Sequence, residues 1–513
     1  MRRRDFLKAT AAGTATVTMP GWLAGCASRG VPAATDATAT PPVNPFLDWF
    51  GVDEAMMTRV LSVLGGRGAD VADLYFQYSR SNSISLEDGI VSKASSAIDE
   101  GVGLRVVIGD QTGYAFTEDL SELAMNAAAR TAASIANGSS IVAPVSFELG
   151  SAAQHYSLSV PWEQIGIAQK LPLLERLEAI AMSADPSVTQ VRVWWSDAEE
   201  RVLVADARGH LHTDVRPSTR LWCSITAVKD GVTQSNAANI AGRHGFDWYT
   251  EEQLQMVARQ AVDRTMVLFD AIRPPAGEMP VVLAAGASGI LLHEAIGHGM
   301  EADFNRKGIS IYSDMIGKKV APDFVTIVDS GVIEGERGAL NFDDEGVACE
   351  RTVLVEGGVM ASYLHDGISA KHYGVAPTGS GRRQSFRHAP MPRMRCTYME
   401  DGPHDKDEII ASVDKGIVAE TFTNGQVQIG AGDYTFYIKN GWLIESGKLT
   451  SPIKDCNIIG NGPESLRNVL MAANDGKLDT GGWTCGKDGQ SVPVSQGLPT
   501  VLVSAMTVGG VDA

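Results

Sequence analysis

Alternating apolar and polar positions recur through the first half of the chain. They predict short strands at 74–78, 83–86, 90–93, 103–108 and 111–116, with Asp88-Gly89 and Gly109-Asp110 as hairpin turns of a meander. The spacing of Leu, Ile, Met and Ala then changes to a helical period over 120–136 and 165–183. Strands return near 188–195, 201–205 and 221–229, and a further helix is predicted over 251–269. Arg273-Pro274-Pro275-Ala276-Gly277 stops that helix and marks a domain boundary. Beyond it comes an apolar strand at 280–285, then a helix for which Ser288 is the candidate cap. Short strands such as 353–355 and 359–363 follow around glycine turns, interrupted by predicted helices at 408–418 and 463–473. Strands and helices fall in separate runs, which argues an α+β fold rather than a doubly wound parallel sheet. The expected bodies are an amino-terminal α+β domain over 46–275 and a β-rich domain over 276–513.

The amino-terminal end has a different composition. Arg3-Arg4-Asp5-Phe6-Leu7-Lys8 precedes an uncharged, Ala- and Thr-rich stretch that is too short and mild to span a bilayer. It reads as a twin-arginine export signal over 1–26, closed by Leu23-Ala24-Gly25-Cys26, which reads as a lipobox with Cys26 as the lipidated residue. A plain cleaved signal is the simpler alternative. Residues 27–45, rich in Ala, Thr and Pro, suit a flexible tether. The expected location is the periplasm or cell envelope, with the membrane touched only through the lipid anchor.

The 513 residues carry a net charge of -18, and loss of the basic leader makes the mature chain more acidic still. Such a surface disfavours nucleic acid as a partner. A hydrophobic content of 44% can fill sizeable cores. The six cysteines are widely spaced and give no disulfide framework, so most are expected to be buried small hydrophobes.

The candidate chemistry is concentrated in Leu291-Leu292-His293-Glu294-Ala295-Ile296-Gly297-His298-Gly299. Two neutral imidazoles can hold zinc, and a neighbouring carboxylate can take a proton from water activated there. In the helical form of such motifs the histidines are four residues apart. Here they are five apart, and on a straight helix this rotates the second by roughly 140° away from the first. The helix must therefore loosen at His298, and a π-type i to i+5 bond would do it, with Gly297 and Gly299 easing the distortion. Two histidines near a glutamate also arise by chance. A third donor is available in Cys485, where Lys487 would favour the thiolate, but Glu301 and Asp303 compete for that position. His365, His372 and His388 are further candidates, each more often structural. The glycine-rich stretch 374–381 lacks the lysine of a phosphate loop, while Arg382-Arg383 after it could grip a peptide carboxylate. The turns near Thr423-Asn424-Gly425 and Gly430-Ala431-Gly432 border strands able to pair with an extended substrate.

Taken together, the segment from His293 through Glu301-Ala302-Asp303-Phe304-Asn305-Arg306-Lys307-Gly308 and the segment Cys485-Gly486-Lys487-Asp488-Gly489-Gln490 resemble the TldD/PmbA family of metallopeptidases, in its TldD-type, metal-carrying half. Leu86-Glu87-Asp88-Gly89-Ile90, Gly101-Val102-Gly103-Leu104-Arg105 and, more weakly, Asp214-Val215-Arg216-Pro217 resemble its amino-terminal part. Asp343-Asp344-Glu345-Gly346, Thr378-Gly379-Ser380-Gly381-Arg382-Arg383 and Met391-Pro392-Arg393-Met394 resemble the catalytic part. The resemblance selects Cys485 as the third ligand beside His293 and His298, with Glu294 as general base and Zn2+ as cofactor. It implies hydrolysis of unfolded or short peptides and a dimer, either of like chains or with a PmbA-type partner lacking the metal motif. Two other readings stand beside it: a non-catalytic scaffold half of such a dimer, and a metal-dependent amidase of the cell envelope. An export leader departs from the family, whose familiar members look cytoplasmic.

Overall fold

The computed structural model describes residues 45–135, 143–144, 146–151 and 153–510. The leader, the lipobox with Cys26, and most of the tether lie outside the described residues.

The first half is built on one large, mainly antiparallel sheet. Strands Gln111–Thr117, Ile90–Ile108, Val71–Glu87, Val188–Asp206 and His210–Lys229 lie side by side in that order, and Val232–Gly242 pairs with the last of them. These strands are much longer than the predicted ones. The segments at 74–78 and 83–86 are parts of one strand, as are those at 90–93 and 103–108, and those at 188–195 and 201–205. The polar residues between them, such as Ser79-Arg80-Ser81-Asn82, keep unbroken register with Val188–Asp206 and remain half-buried. An antiparallel ladder tolerates a polar face, so polarity alone did not end the strand. At the hairpin after Glu87, Asp88 and Gly89 take φ of 52° and 70°, the left-handed pair such a turn requires.

Helices cover this sheet in two groups. Glu54–Leu64 and Glu122–Ala132 bury Met57, Leu61, Met125 and Ala129 against Phe76, Leu104 and Leu203. Ile167–Ala184 and Glu251–Met266 bury Leu174, Leu177 and Val257 against Val191, Trp195 and Leu221.

In the second half, five strands close into a ring: Lys415–Gln428, Gly277–Leu283, Val501–Gly509, Cys456–Asn461 and Asp433–Glu445, the last pairing back with the first. A separate sheet runs through Val359–Met360, Arg351–Glu356, Ile327–Ser330, Cys396–Met399 and Gln490–Leu498, and Trp483–Lys487 pairs with Gln490–Leu498. Two predicted helices are overturned in part. The helix over 408–418 ends at Ala411, and Lys415–Gln428 becomes a strand whose Ile417, Val418 and Ala419 pair in parallel with Val281, Val282 and Leu283. The helix over 463–473 ends at Arg467, and Val469–Ala472 joins Val501–Gly509. In both places tertiary pairing of β-branched or apolar residues overrides a weak local helical pattern. Ser288 caps no helix; its hydroxyl donates to the carbonyl of Ala419 and ties the turn before His293 to the ring. The whole is α+β.

Guanidiniums join the halves, the buried Arg216 and Arg105 among them. Arg216 donates to Asp344 Oδ1 at 2.5 Å and to the Phe342 carbonyl at 2.9 Å. Arg105 links Asp73 of its own sheet to Glu345. Gly101 sits where a side chain would collide with the Phe386 ring, so the small residue permits the close approach.

Inside the second half, Asp329 and Arg395 are both fully buried and form an ion pair at 2.7 Å. Asp329 also accepts from the Arg395 backbone N–H and the Thr397 hydroxyl, both at 2.8 Å. Removing the carboxylate strands a buried cation, at a cost of about 3–5 kcal/mol. Asp329→Ala should show that loss in denaturant unfolding; a change below about 1 kcal/mol would contradict this role for the pair.

Candidate metal centre

The sequence around His293 is largely apolar, with Leu291, Leu292, Ala295 and Ile296 buried beside it. Residues Leu292–Gly297 form a π-helical segment followed by a tight turn at His298–Met300. The His298 N–H reaches the His293 carbonyl, the i to i+5 bond that the five-residue spacing called for. Gly297 does not supply unusual backbone freedom, since its φ is -59° and its ψ -48°. It supplies space: a Cβ there would lie 2.0 Å from Met394 Sδ, and one on Gly299 would lie 2.5 Å from the Tyr312 ring. Gly289 and Gly462 are constrained more severely. Added carbons would meet the Gly497 backbone nitrogen at 2.4 Å and the Ala295 carbonyl oxygen at 2.1 Å.

This packing brings together three residues from distant parts of the chain. His293, His298 and Cys485 each present a donor atom, and the three atoms lie within 4.8 Å of one another. The imidazole centroids are 5.1 Å apart at an interplanar angle of 84°. Cys485 Sγ is 3.4 Å from His298 Nε2. All three residues are buried, and His293 Nδ1 has no hydrogen-bond partner among the described residues. Glu294 lies alongside, with Oε2 3.9 Å from His298 Nε2 and its side chain 24% exposed. It is the one member of the group with an open side.

The donor set fits a zinc ion. Zinc–nitrogen and zinc–sulfur bonds of about 2.0–2.1 and 2.3 Å at tetrahedral angles put the donors roughly 3.5 Å apart. The sulfur–nitrogen distance of 3.4 Å matches that edge. Burial pushes the Cys485 thiol up, but the facing imidazoles of His293 and His298 outweigh it and hold the group well below the usual thiol range. The thiolate is the form that binds metal.

Glu301 and Asp303 do not join the donors. Glu301 Oε2 accepts from His298 Nδ1 at 3.0 Å, which leaves Nε2 directed at the sulfur. Lys487 Nζ lies 3.1 Å from Glu301 Oε2 and 2.7 Å from Asp303 Oδ1. Burial raises the Glu301 carboxyl, but Lys487 first and His298 next bring it down to about 2. The expectation that Lys487 acts on the thiol is therefore corrected: its ammonium is taken by two carboxylates and the Pro392 carbonyl. Arg393, which the sequence reading did not single out, donates to the Cys485 carbonyl at 2.6 Å and fixes the cysteine's strand. Its only signal was its place in Met391-Pro392-Arg393-Met394.

Other candidates lie apart from this cluster. Arg382 donates to the carbonyls of Met394 and Pro493, and Arg383 to the carbonyl of Asp344, so neither guanidinium is free to grip a carboxylate. His365 is buried among Tyr363 and Tyr373, and burial lowers it to about 4. His388 pairs with Ser385, and His372 is exposed. Residues 423–425 are not a turn; they lie within a strand beside a register shift. The described cysteines are all buried and unbridged.

Comparison with known proteins now adds to the geometry. The family description "PmbA/TldA metallopeptidase C-terminal domain" fits residues 276–510, "domain 1" fits 72–136, and "central domain" fits 160–269. A "Metalloprotease TldD homolog" of Haemophilus influenzae is 39% identical over 476 residues, 91% of this chain and 99% of that one. The chain belongs to the TldD/PmbA metallopeptidase family. Within it, a "Zinc metalloprotease TldD homolog" of Saccharolobus solfataricus is 25% identical over 86% of this chain and 97% of its own. The solved structure of TldE from Thermococcus kodakarensis shares the fold, with a TM-score of 0.69 at 17% identity, covering 89% of this chain and all (100%) of that one.

A metal-ligating histidine depends on the partner of its other ring nitrogen, and loss of that partner typically costs 10–100-fold in metal affinity. Glu301→Gln should therefore weaken metal binding by about that factor in competition with a chelator. Loss of all metal would instead make Glu301 a ligand, and unchanged affinity would remove it from the site.

Proposed function

We propose that this chain is a zinc-dependent peptidase acting on unfolded or short peptides. The convergence of His293, His298 and Cys485 beside the half-open Glu294 carries the proposal. His293, His298 and Cys485 would hold the ion, with the fourth position left for reactants. Bound zinc supplies a Lewis acid for the scissile carbonyl and makes water acidic near neutral pH.

The chain's own groups do the rest. Glu294 takes the proton from the attacking water on its carboxylate and returns it to the departing amine nitrogen. Its exposed side gives the peptide access, while the buried imidazoles and sulfur stay dry. Glu301 and Lys487 keep the His298 ring in one orientation. Arg393 holds the strand that delivers Cys485. A scaffold half of a dimer would need none of these groups, yet the chain keeps all of them. The name of the Saccharolobus relative supports zinc over other ions.

The same proposal includes a dimer, of like chains or with a PmbA-type partner; the likeness to TldE supports the latter. It also includes export through Arg3-Arg4 and anchoring at Cys26 in the cell envelope. Folding around the metal before export protects the Cys485 thiolate from oxidation.

Glu294→Gln keeps the shape and loses the base. Zinc content should stay near one per chain while peptide hydrolysis falls by about 10²–10⁴-fold, whereas Cys485→Ala should lose most of the metal. Near-normal turnover in the first variant, or full zinc in the second, would refute the respective role. Fractionation tests the leader. Replacing Arg3 and Arg4 by Lys should strand active precursor in the cytoplasm, and Cys26→Ala should abolish lipid labelling with activity kept. Wild-type protein that takes no lipid label would overturn the anchor.

A further inference from the structure

A cavity of about 460 Å³ opens at the seam between the two halves, and Trp483, two residues before Cys485, is part of its lining. Its size is in the range of small-ligand and peptide-end pockets. One wall comes from the amino-terminal sheet and its helix, with Arg220, Trp222 and Arg264. The other comes from the carboxy-terminal half, with Phe422, Lys439 and Trp483. We propose that this cavity is a carboxylate subsite that receives the free carboxyl end of a peptide whose scissile bond lies at the metal cluster. It rests on the peptidase reading above.

The charge balance is the first argument. Arg220, Arg264 and Lys439 face the cavity, and Asp479 is the acid that lines it with them. Asp479 already accepts a hydrogen bond from the Trp483 indole. Among the described residues, no carboxylate lies within ion-pair distance of Arg220, Arg264 or Lys439. Arg220 has the Asn239 amide oxygen at 2.9 Å and the faces of Trp222 and Trp194, 4.7 and 5.9 Å from its guanidinium carbon. Arg264 donates to the Ala237 carbonyl at 3.4 Å and feels Asp479 and Glu420 only from beyond ion-pair distance. Behind them the half-buried Arg337 donates to the Trp483 carbonyl and is brought down to about 10, by burial first and then by the neighbouring Arg220, Arg243 and Arg382. Half-buried cations without a contacting carboxylate are costly, and a planar guanidinium is well matched to one.

Position is the second argument. Trp483 and Cys485 are alternate residues of one strand, so they point to the same side roughly 7 Å apart. An extended peptide spans that distance in about two residues. A chain end seated beside Trp483 would therefore put the cleaved bond a few residues from the carboxyl terminus. The rings of Trp222, Phe422 and Trp483 offer apolar surface to the side chains between.

Calorimetric titration of zinc-loaded Glu294→Gln protein separates binding from turnover. The probes are one heptapeptide as free acid, the same peptide as carboxyl-terminal amide, and the amide with Glu as its last residue. The free acid should bind about 10–100-fold more tightly than the amide, the worth of one or two charge-assisted hydrogen bonds. Adding Arg264→Gln, or Lys439→Gln from the opposite wall, should erase the difference and leave amide affinity and zinc content unchanged. Equal affinity of acid and amide would overturn the proposal. So would a Glu-terminated amide that binds as tightly as the acid, because the cavity would then read acidic side chains rather than chain ends. Wild-type protein that cleaves no peptide but keeps the contrast would refute the catalytic reading alone. Cleavage without the contrast would refute the subsite alone.

Discussion

Five residues separate His293 from His298, and the hydrogen bond from the His298 N–H to the His293 carbonyl gathers them into one cluster. In a regular helix the second ring would point roughly 140° away. A π-helical bond gives up regular helical geometry, so it persists only where the surroundings hold it. They do so by close packing. Gly289 lies against the Gly497 backbone, Gly462 against the Ala295 carbonyl, and Gly297 against Met394. The segment is pressed on one side by the closed ring of strands and on the other by the strands that carry Cys396 and Gln490. The core that contains Leu292, Ala295 and Ile296 also contains Phe436, Ile458 and Val494. Fold stability and site geometry are therefore one problem in this part of the molecule.

A second set of forces is ionic and acts on the cysteine. Its strand is a short edge piece, Trp483–Lys487, which on its own would be poorly fixed. Lys487 locks one end to Glu301 and Asp303, and Arg393 holds the Cys485 carbonyl. Because Glu301 also orients His298, a single carboxylate couples the helix side of the site to the strand side. The amino-terminal sheet reaches the same region through Arg105 and Arg216, which meet Glu345 and Asp344. The cavity beside Trp483 lies where these two halves face each other.

The helix distortion was legible because the spacing of two like side chains is a geometric constraint that propensity cannot soften. His293, Glu294 and His298 stood out as candidates by their spacing, but Cys485 was chosen by family resemblance, because Glu301 and Asp303 offered equally plausible donors in the sequence. The functions of the motif glycines were not legible. Gly297 suggested backbone freedom, but only the position of Met394 shows that it provides room. Lys487 and Arg382-Arg383 were misjudged because the partners of a buried cation lie far away in sequence; Asp303 is 184 residues from Lys487. Strand lengths failed where polar runs such as 79–82 continue a ladder, and helix ends failed at Lys415 and Val469, where distant strands capture the chain. In each case the missing information was a long-range contact.

The central claim is that the histidine pair and the distant cysteine share one zinc ion. X-ray absorption at the zinc edge of the purified protein tests it most directly. The account predicts one sulfur neighbour at about 2.3 Å and two imidazole nitrogens at about 2.0–2.1 Å, with a lighter atom completing the shell. A shell of nitrogen and oxygen alone, without sulfur, would contradict it.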